Sequence, residues 1–225
     1  MIYLITGGSA SGKSAWAGRL AEELAGENGK AERILYIATL ADQSEESEQR
    51  VERHRKLREN GNYAVEECFF LSGPAALLEK YGRAGKEQET AAVVLFDSLD
   101  GFTANVLFPP VRPGMLSPDG GGPEADAERT AEEILSLQSL SSNLMIVSDQ
   151  IYSDGIVYDG LTRKYMEYTA EVERAIADRA DYVIEVVCGI PLLLKGEEHE
   201  FSEIDPDHDV SVYEDSDAVY RMGPE

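Results

Sequence analysis

MIYLITGGSASGKS, Met1 to Ser14, opens the chain and decides how the rest is read. A short apolar run, Ile2 to Ile5, feeds directly into Gly7-Gly8-Ser9-Ala10-Ser11-Gly12-Lys13-Ser14, which has the form G-x-x-x-x-G-K-[ST]. A helix-forming stretch, Ala15 to Ala25, follows. Glycines let such a loop curl until successive N–H groups face one concavity, which suits phosphate oxygens. Lys13 is placed to reach β- and γ-phosphates, and the Ser14 hydroxyl to ligate Mg²⁺. The helix N-terminus adds its positive dipole end. Strand, loop, Lys-Ser and helix stand in the order that a nucleoside triphosphate site requires.

Working outward, Arg33 to Thr39 (RILYIAT) reads as a buried strand with a polar exit at Thr39. Glu45 to Glu59 reads as a polar helix carrying Arg50, Arg53, His54, Arg55 and Arg58. Tyr63 to Glu66 fits a short strand, and Ser72 fits the N-cap of a helix through Tyr81. Ala91 to Phe96 is a fully apolar strand ending on Asp97, with a helix from Asp100 to Leu107. Pro109 to Pro123 holds five prolines and breaks all periodicity, so it is expected to be an exposed loop. A helix from Glu124 to Ser141, a strand from Leu144 to Val147 and a helix from Leu161 to Arg179 follow. Tyr182 to Val187 and Leu192 to Leu194 close the core as a hairpin across Gly189-Ile190-Pro191.

Strands alternating with helices imply an α/β fold, a mostly parallel sheet covered on both faces. Ligands of such sheets collect at the carboxyl ends of the strands. One shared site is therefore expected, built from the phosphate loop, Thr39, Asp97 and Asp149. Asp97 occupies the place where P-loop proteins put the acid that helps hold Mg²⁺, although a strand-terminal Asp also caps turns.

Composition narrows the partners. The chain's 225 residues fit one catalytic domain, residues 1–195, followed by a tail, residues 196–225. Its formal charge is −23, which argues against a nucleic-acid or anionic-membrane partner. Eleven acidic residues against one arginine lie from Gly196 onward, the pattern of a solvated segment that packs little. Cys68 and Cys188 are too few for a disulfide framework. With no bilayer-spanning run and no export signal, the expected location is the cytoplasm.

Arg50, His54 and Arg58 recur every four residues, so on a helix they form one stripe. Cations beside an imidazole disfavour its charged form and keep a nucleophilic nitrogen available near neutral pH. The stripe fits a phosphoryl or nucleotidyl acceptor, and it fits a solvated basic face. Spacing alone does not separate them.

A family resemblance bears on that choice. Ile5-Thr6-Gly7-Gly8 through Ser14, Leu35-Tyr36-Ile37-Ala38-Thr39, Glu46, Arg50-Val51, His54, Arg58 and Glu66 stand in the order of one family's pattern. Asp97 with Thr103-Ala104-Asn105, Ala180 to Val183 and Gly189-Ile190-Pro191 extend the match. The sequence resembles the bifunctional adenosylcobinamide kinase / adenosylcobinamide-phosphate guanylyltransferases of cobalamin nucleotide-loop assembly. The resemblance implies a RecA-like P-loop sheet and a homotrimer. It implies that His54 takes GMP from GTP as a covalent intermediate, with Lys13 as its catalytic partner at the phosphates. Gly7 to Ser14, Ile37 to Thr39, Arg55, Lys56, Leu57, Arg58, Glu66 and Asp97 match the nucleotide-contacting positions. GTP, ATP and Mg²⁺ are the implied ligands, and adenosylcobinamide or its phosphate the small-molecule partner.

Four stretches depart from the pattern. Asp149-Gln150-Ile151-Tyr152 stands for Asn-Glu-Val-Gly, Tyr165-Met166-Glu167 for Phe-Arg-Asp, Glu173-Arg174 for Asn-Gln, and Glu59 for a proline. A carboxylate only accepts hydrogen bonds whereas an amide also donates. The exchange at Asp149 and Gln150 is therefore expected to weaken the kinase half more than guanylyl transfer, whose acceptor is already ionised. A nucleotide enzyme acting on another acceptor and a non-catalytic nucleotide-binding regulator remain as alternative readings.

Overall fold

Alternate residues of each apolar run point to opposite faces of the sheet, so every central strand feeds two cores. Tyr3 and Ile5 join Ile34, Tyr36, Val93, Leu95, Met145 and Val147 on one side. Leu4 joins Leu35, Ile37, Val94, Phe96, Leu144 and Ile146 on the other. Continuous apolar runs are what strands buried on both faces require, and this is why those strands are visible in the sequence.

The computed structural model describes residues 1–26, 33–39, 56, 62–69, 72–82, 91–108, 126–152 and 155–197. The expected His helix apart from Lys56, the Pro109–Pro123 loop and all but the start of the acidic tail lie outside them. Seven strands form one sheet in the order β3-β2-β4-β5-β1-β6-β7. They are β1 (Ile2–Gly7), β2 (Ile34–Ala38), β3 (Tyr63–Glu67), β4 (Ala91–Asp97), β5 (Ser141–Asp149), β6 (Tyr182–Val187) and β7 (Ile190–Lys195). All pairings are parallel except β6 with β7, which form the expected antiparallel hairpin. The five described helices are α1 (Lys13–Gly26), α2 (Gly73–Gly82), α3 (Leu99–Leu107), α4 (Ala127–Leu135) and α5 (Gly160–Arg179).

Helix α1 covers the Tyr3 face, where Trp16 is 1% exposed among Ala17, Leu20 and Ala21. A buried ring of this size contributes about 3–5 kcal/mol against truncation to alanine. The other face is covered by α3, α4 and α5, with Phe102, Ile134, Val172 and Ile176 buried against it. Asp159 caps α5, its side chain accepting from Thr162 N at 3.0 Å, an arrangement that stabilises a helix by about 1 kcal/mol. The expected α/β sheet with helices on both faces is the one observed. The phosphate-loop strand β1 is separated from the Asp97 strand β4 by β5, giving the RecA-like P-loop arrangement.

Boundaries differ from expectation at three elements, one of them β7, where Ile190 and Pro191 pair with Val187 and Val186 instead of forming the turn. The helix expected over Glu124–Ser141 starts at its N-cap Asp126 and ends at Leu135, tightening into a 3₁₀ turn over Ser136–Leu140. Ser136 and Ser139 donate side-chain hydrogen bonds to carbonyls three residues back, at 2.5 and 2.9 Å, and such bonds favour the tighter turn. Strand β5 is longer than Leu144–Val147 because Ser141 and Asn143, though polar, pair with Ala91 and Val93 of β4.

Candidate active site

Strand β1 delivers the phosphate loop to the carboxyl edge, where Gly7 stands in register with Asp149 of β5 and Thr6 with Glu185 of β6. A side chain at Gly7 would place its Cβ 2.5 Å from the Val186 carbonyl and 2.7 Å from Ser11 Oγ, so only glycine fits. Gly12 sits in the left-handed region at φ 85°, and Ala10 joins it at φ 56°. Holding a non-glycine residue there costs roughly 1–2 kcal/mol. Alternation of this kind turns backbone amides into a concave anion-binding nest. The loop is closed by Ser11 N donating to Gly8 O at 3.2 Å and tied to the β6–β7 hairpin by Gly189 N donating to Ser11 O at 2.8 Å.

Helix α1 begins at Lys13, and its first-turn amides have no intrahelical acceptor. Ser9 and Gly8 are exposed, while Ser14 is half-buried. Lys13 is only 7% exposed. Its Nζ donates to the Gly8 carbonyl at 3.2 Å and forms an ion pair with Asp149 Oδ1. A buried ammonium needs such partners, and anionic phosphate oxygens are the ligands it is built to exchange for them. Concave amides, a desolvated lysine and an open face at Gly8, where a Cβ would meet nothing within 4 Å, fit a triphosphate.

One strand further along the edge, Asp97 ends β4 and accepts from Tyr36 OH at 2.9 Å. Thr39 braces the turn after it. Its hydroxyl donates to Ser98 O at 2.6 Å and accepts from Ser98 N at 2.7 Å, and Asn105 Nδ2 donates to Thr39 O at 2.6 Å. Ile37 and Ala38 have their side chains buried in the two cores. Glu66, on the edge strand β3, is in register with Ile37. Its carboxylate accepts from Lys80 Nζ and Tyr81 OH, both at 2.5 Å. The structure thus groups Gly7 to Ser14, Asp149, Asp97 and Thr39 along one edge, and sets Glu66 apart from β1 by β2, β4 and β5. Lys56 is helical. His54, Arg55, Leu57 and Arg58 lie outside the described residues.

Two acidic residues that strand-end reasoning missed sit behind this edge. Asp100, in the first turn of α3, accepts from the Asp149 amide through Oδ1 at 3.3 Å. Part of the residue remains in solvent, but protein atoms crowd its carboxyl group. Burial, with the charge of Asp149 second, pushes its pKa up to about 6. Glu173 lies on the buried stripe of α5 with Thr169, Val172 and Ile176. Burial raises its pKa, while the hydrogen bond from Tyr152 acts in the opposite direction. Tyr152 OH lies 2.5 Å from Glu173 Oε2. An acid on the apolar stripe of a helix was the available signal. Gln150 turns the other way, its Nε2 donating to Glu185 Oε1 at 3.0 Å.

The Asp100 environment carries a stability prediction. A carboxyl group whose pKa rises from 3.8 to about 6 on folding binds its proton more tightly in the folded chain. Stability therefore falls as pH rises through that window and stays lower above it. Asp100→Asn retains an acceptor for the Asp149 amide and removes the charge. Thermal unfolding should show a gain of roughly 1–2 kcal/mol at about pH 7.5 and none near pH 3.5. An equal shift at both pH values would contradict this account.

Known proteins bear on the chemistry of this edge. The CobU family, described as cobinamide kinase / cobinamide phosphate guanyltransferase, matches residues 3–194. The chain belongs to that family. The Pseudomonas aeruginosa protein named bifunctional adenosylcobalamin biosynthesis protein CobP is 32% identical over 194 residues, 86% of this chain and 97% of that protein. Among solved structures, the KaiC-like protein of Pyrococcus horikoshii OT3 superposes with a TM-score of 0.46 at 16% identity, covering 88% of this chain and 79% of that one. The family match includes the phosphate loop, the Asp97 strand and the β6–β7 hairpin that anchors Ser11. Among the described residues no helix is long and apolar enough to cross a membrane.

Proposed function

We propose that this chain phosphorylates the hydroxyl of adenosylcobinamide and then transfers GMP from GTP to the new phosphate, through GMP held covalently on His54. The observation that carries the reading is a family match over residues 3–194 that contains a phosphate loop with a buried, paired lysine. In the kinase half, Lys13 and the first-turn amides of α1 hold the phosphates of ATP or GTP and offset the charge that develops on them. Ser14 and Asp97 are the residues that would hold Mg²⁺, which supplies further charge neutralisation on the phosphate oxygens.

In the guanylyl half, a neutral imidazole nitrogen of His54 attacks the α-phosphorus. The bond from that phosphorus to the bridging oxygen breaks, and its electron pair leaves with pyrophosphate. A phosphate oxygen of the second substrate then attacks the same phosphorus, the P–N bond breaks, and the imidazole is regenerated. Arg50, Arg55 and Arg58 supply the cations that keep the imidazole neutral and grip phosphate in this reading. Glu66 and Lys56 complete the nucleotide contacts in this reading.

The chain acts as a homotrimer in the cytoplasm. Val157, Leu161, Leu192 and Leu194, exposed by 97%, 67%, 46% and 61%, offer apolar surface for self-association. Purified protein assayed separately with adenosylcobinamide plus ATP or GTP, and with adenosylcobinamide phosphate plus GTP, tests the reading. Conversion of both corrinoids is expected. Triphosphate binding with neither corrinoid altered would overturn it.

A further inference from the structure

Asp149 ends β5 beside the phosphate loop, and its carboxylate forms an ion pair with the buried ammonium of Lys13. The two side chains differ in access: Lys13 is 8% exposed at its side chain and Asp149 29%. One oxygen of Asp149 is thus committed to Lys13, while the residue keeps an open face at the edge where ligands gather. The backbone fixes it from behind, the Asp149 amide donating to Asp100 Oδ1 at 3.3 Å and the Gln150 amide donating to Gly7 O at 3.0 Å. Gln150, its neighbour, has its amide nitrogen turned to Glu185 at 3.0 Å.

The geometry points to Asp149 as the catalytic base of the kinase half, the group that takes the proton of the substrate hydroxyl. This rests on the proposed kinase activity and names a residue for it. An ammonium making hydrogen bonds of about 2.8 Å to a γ-phosphate oxygen and to Asp149 holds the two within about 5–6 Å of each other. A hydroxyl poised for attack stands about 3–3.5 Å from the phosphorus, inside that gap and within reach of the carboxylate. In the step, the hydroxyl O–H bond breaks and its proton passes to Asp149. The hydroxyl oxygen bonds to the γ-phosphorus, and the β–γ bridging bond breaks with its electron pair leaving on the nucleoside diphosphate. An aspartate accepting the substrate hydroxyl proton suits phosphoryl transfer, which asks little basicity of its base.

Guanylyl transfer supplies the control. Its acceptor is an ionised phosphate with no proton to remove, yet its triphosphate still needs Lys13. A residue that merely positions Lys13 is therefore needed equally by both halves, whereas a base is needed by one. The experiment measures both half-reactions for wild type, Asp149→Asn and Asp149→Glu, with GTP affinity and melting temperature for each. The expected result is an Asp149→Asn kinase kcat lowered by about 10²–10⁴-fold. Guanylyl transfer should fall by less than about tenfold, and Asp149→Glu should recover part of the kinase rate. Equal losses in both halves, or an unimpaired kinase, would overturn the assignment while leaving the bifunctional reading intact. A wild-type protein that turns over neither corrinoid would remove both.

Discussion

Lys13→Ala is expected to abolish both half-reactions. Lys13 is 7% exposed and its ammonium is held by the Gly8 carbonyl and Asp149, so its orientation toward the loop is set before any ligand arrives. In a site screened from water, a charge-assisted contact to phosphate is worth more than at the surface, and contacts that strengthen in the transition state act directly on rate. Removal has a second cost. Asp149 would then face the phosphates without its counter-ion, adding repulsion to lost attraction. Together these effects amount to several kcal/mol, or about 10³-fold or more in each half-reaction. Rates with saturating GTP, GTP affinity and the melting temperature separate a site defect from unfolding. A folded variant that binds and turns over GTP normally would refute the phosphate-loop role of Lys13.

His54→Asn is expected to separate the two activities. Asparagine retains a hydrogen-bonding side chain but has no nucleophilic nitrogen, so the covalent route to GMP transfer closes. Triphosphate binding, carried by the loop and Lys13, should persist, and so should phosphorylation of the hydroxyl, which needs no imidazole nucleophile. Guanylyl transfer should fall by about 10³-fold or more, while the kinase rate changes by less than about tenfold. Comparable guanylyl rates in the variant and the wild type would show that GMP travels by direct displacement.

The two predictions rest on features of unequal legibility. Residues 1–14 disclosed strand, loop and helix together because glycine positions and a Lys-Ser pair have few other uses in that order. β2 and β4 were plain because strands buried on both sides leave unbroken apolar runs. The outer turns of β5 were not, since Ser141 and Asn143 enter the sheet through backbone pairing, which hydrophobicity does not report. Asp149 was legible as a site residue from its place after an apolar strand. Its partner was not, because the Lys13 contact depends on β1 and β5 lying side by side. Asp100 and Glu173 were not read as site residues because helical acids read as solvated unless helix orientation is known. The Gln150–Glu185 contact likewise joins residues 35 positions apart across two strands.

The most direct test of the whole account is a pulse and chase with α-labelled GTP. Wild-type protein should acquire the label in a form cleaved by acid and hydroxylamine and stable in base, the behaviour of a phosphoramidate, whereas γ-labelled GTP should leave His54 unmarked. The isolated labelled protein, freed of nucleotide and given adenosylcobinamide phosphate alone, should pass its label to the corrinoid. Protein that never takes the α-label, or a labelled protein whose label does not move to that acceptor, would contradict the account.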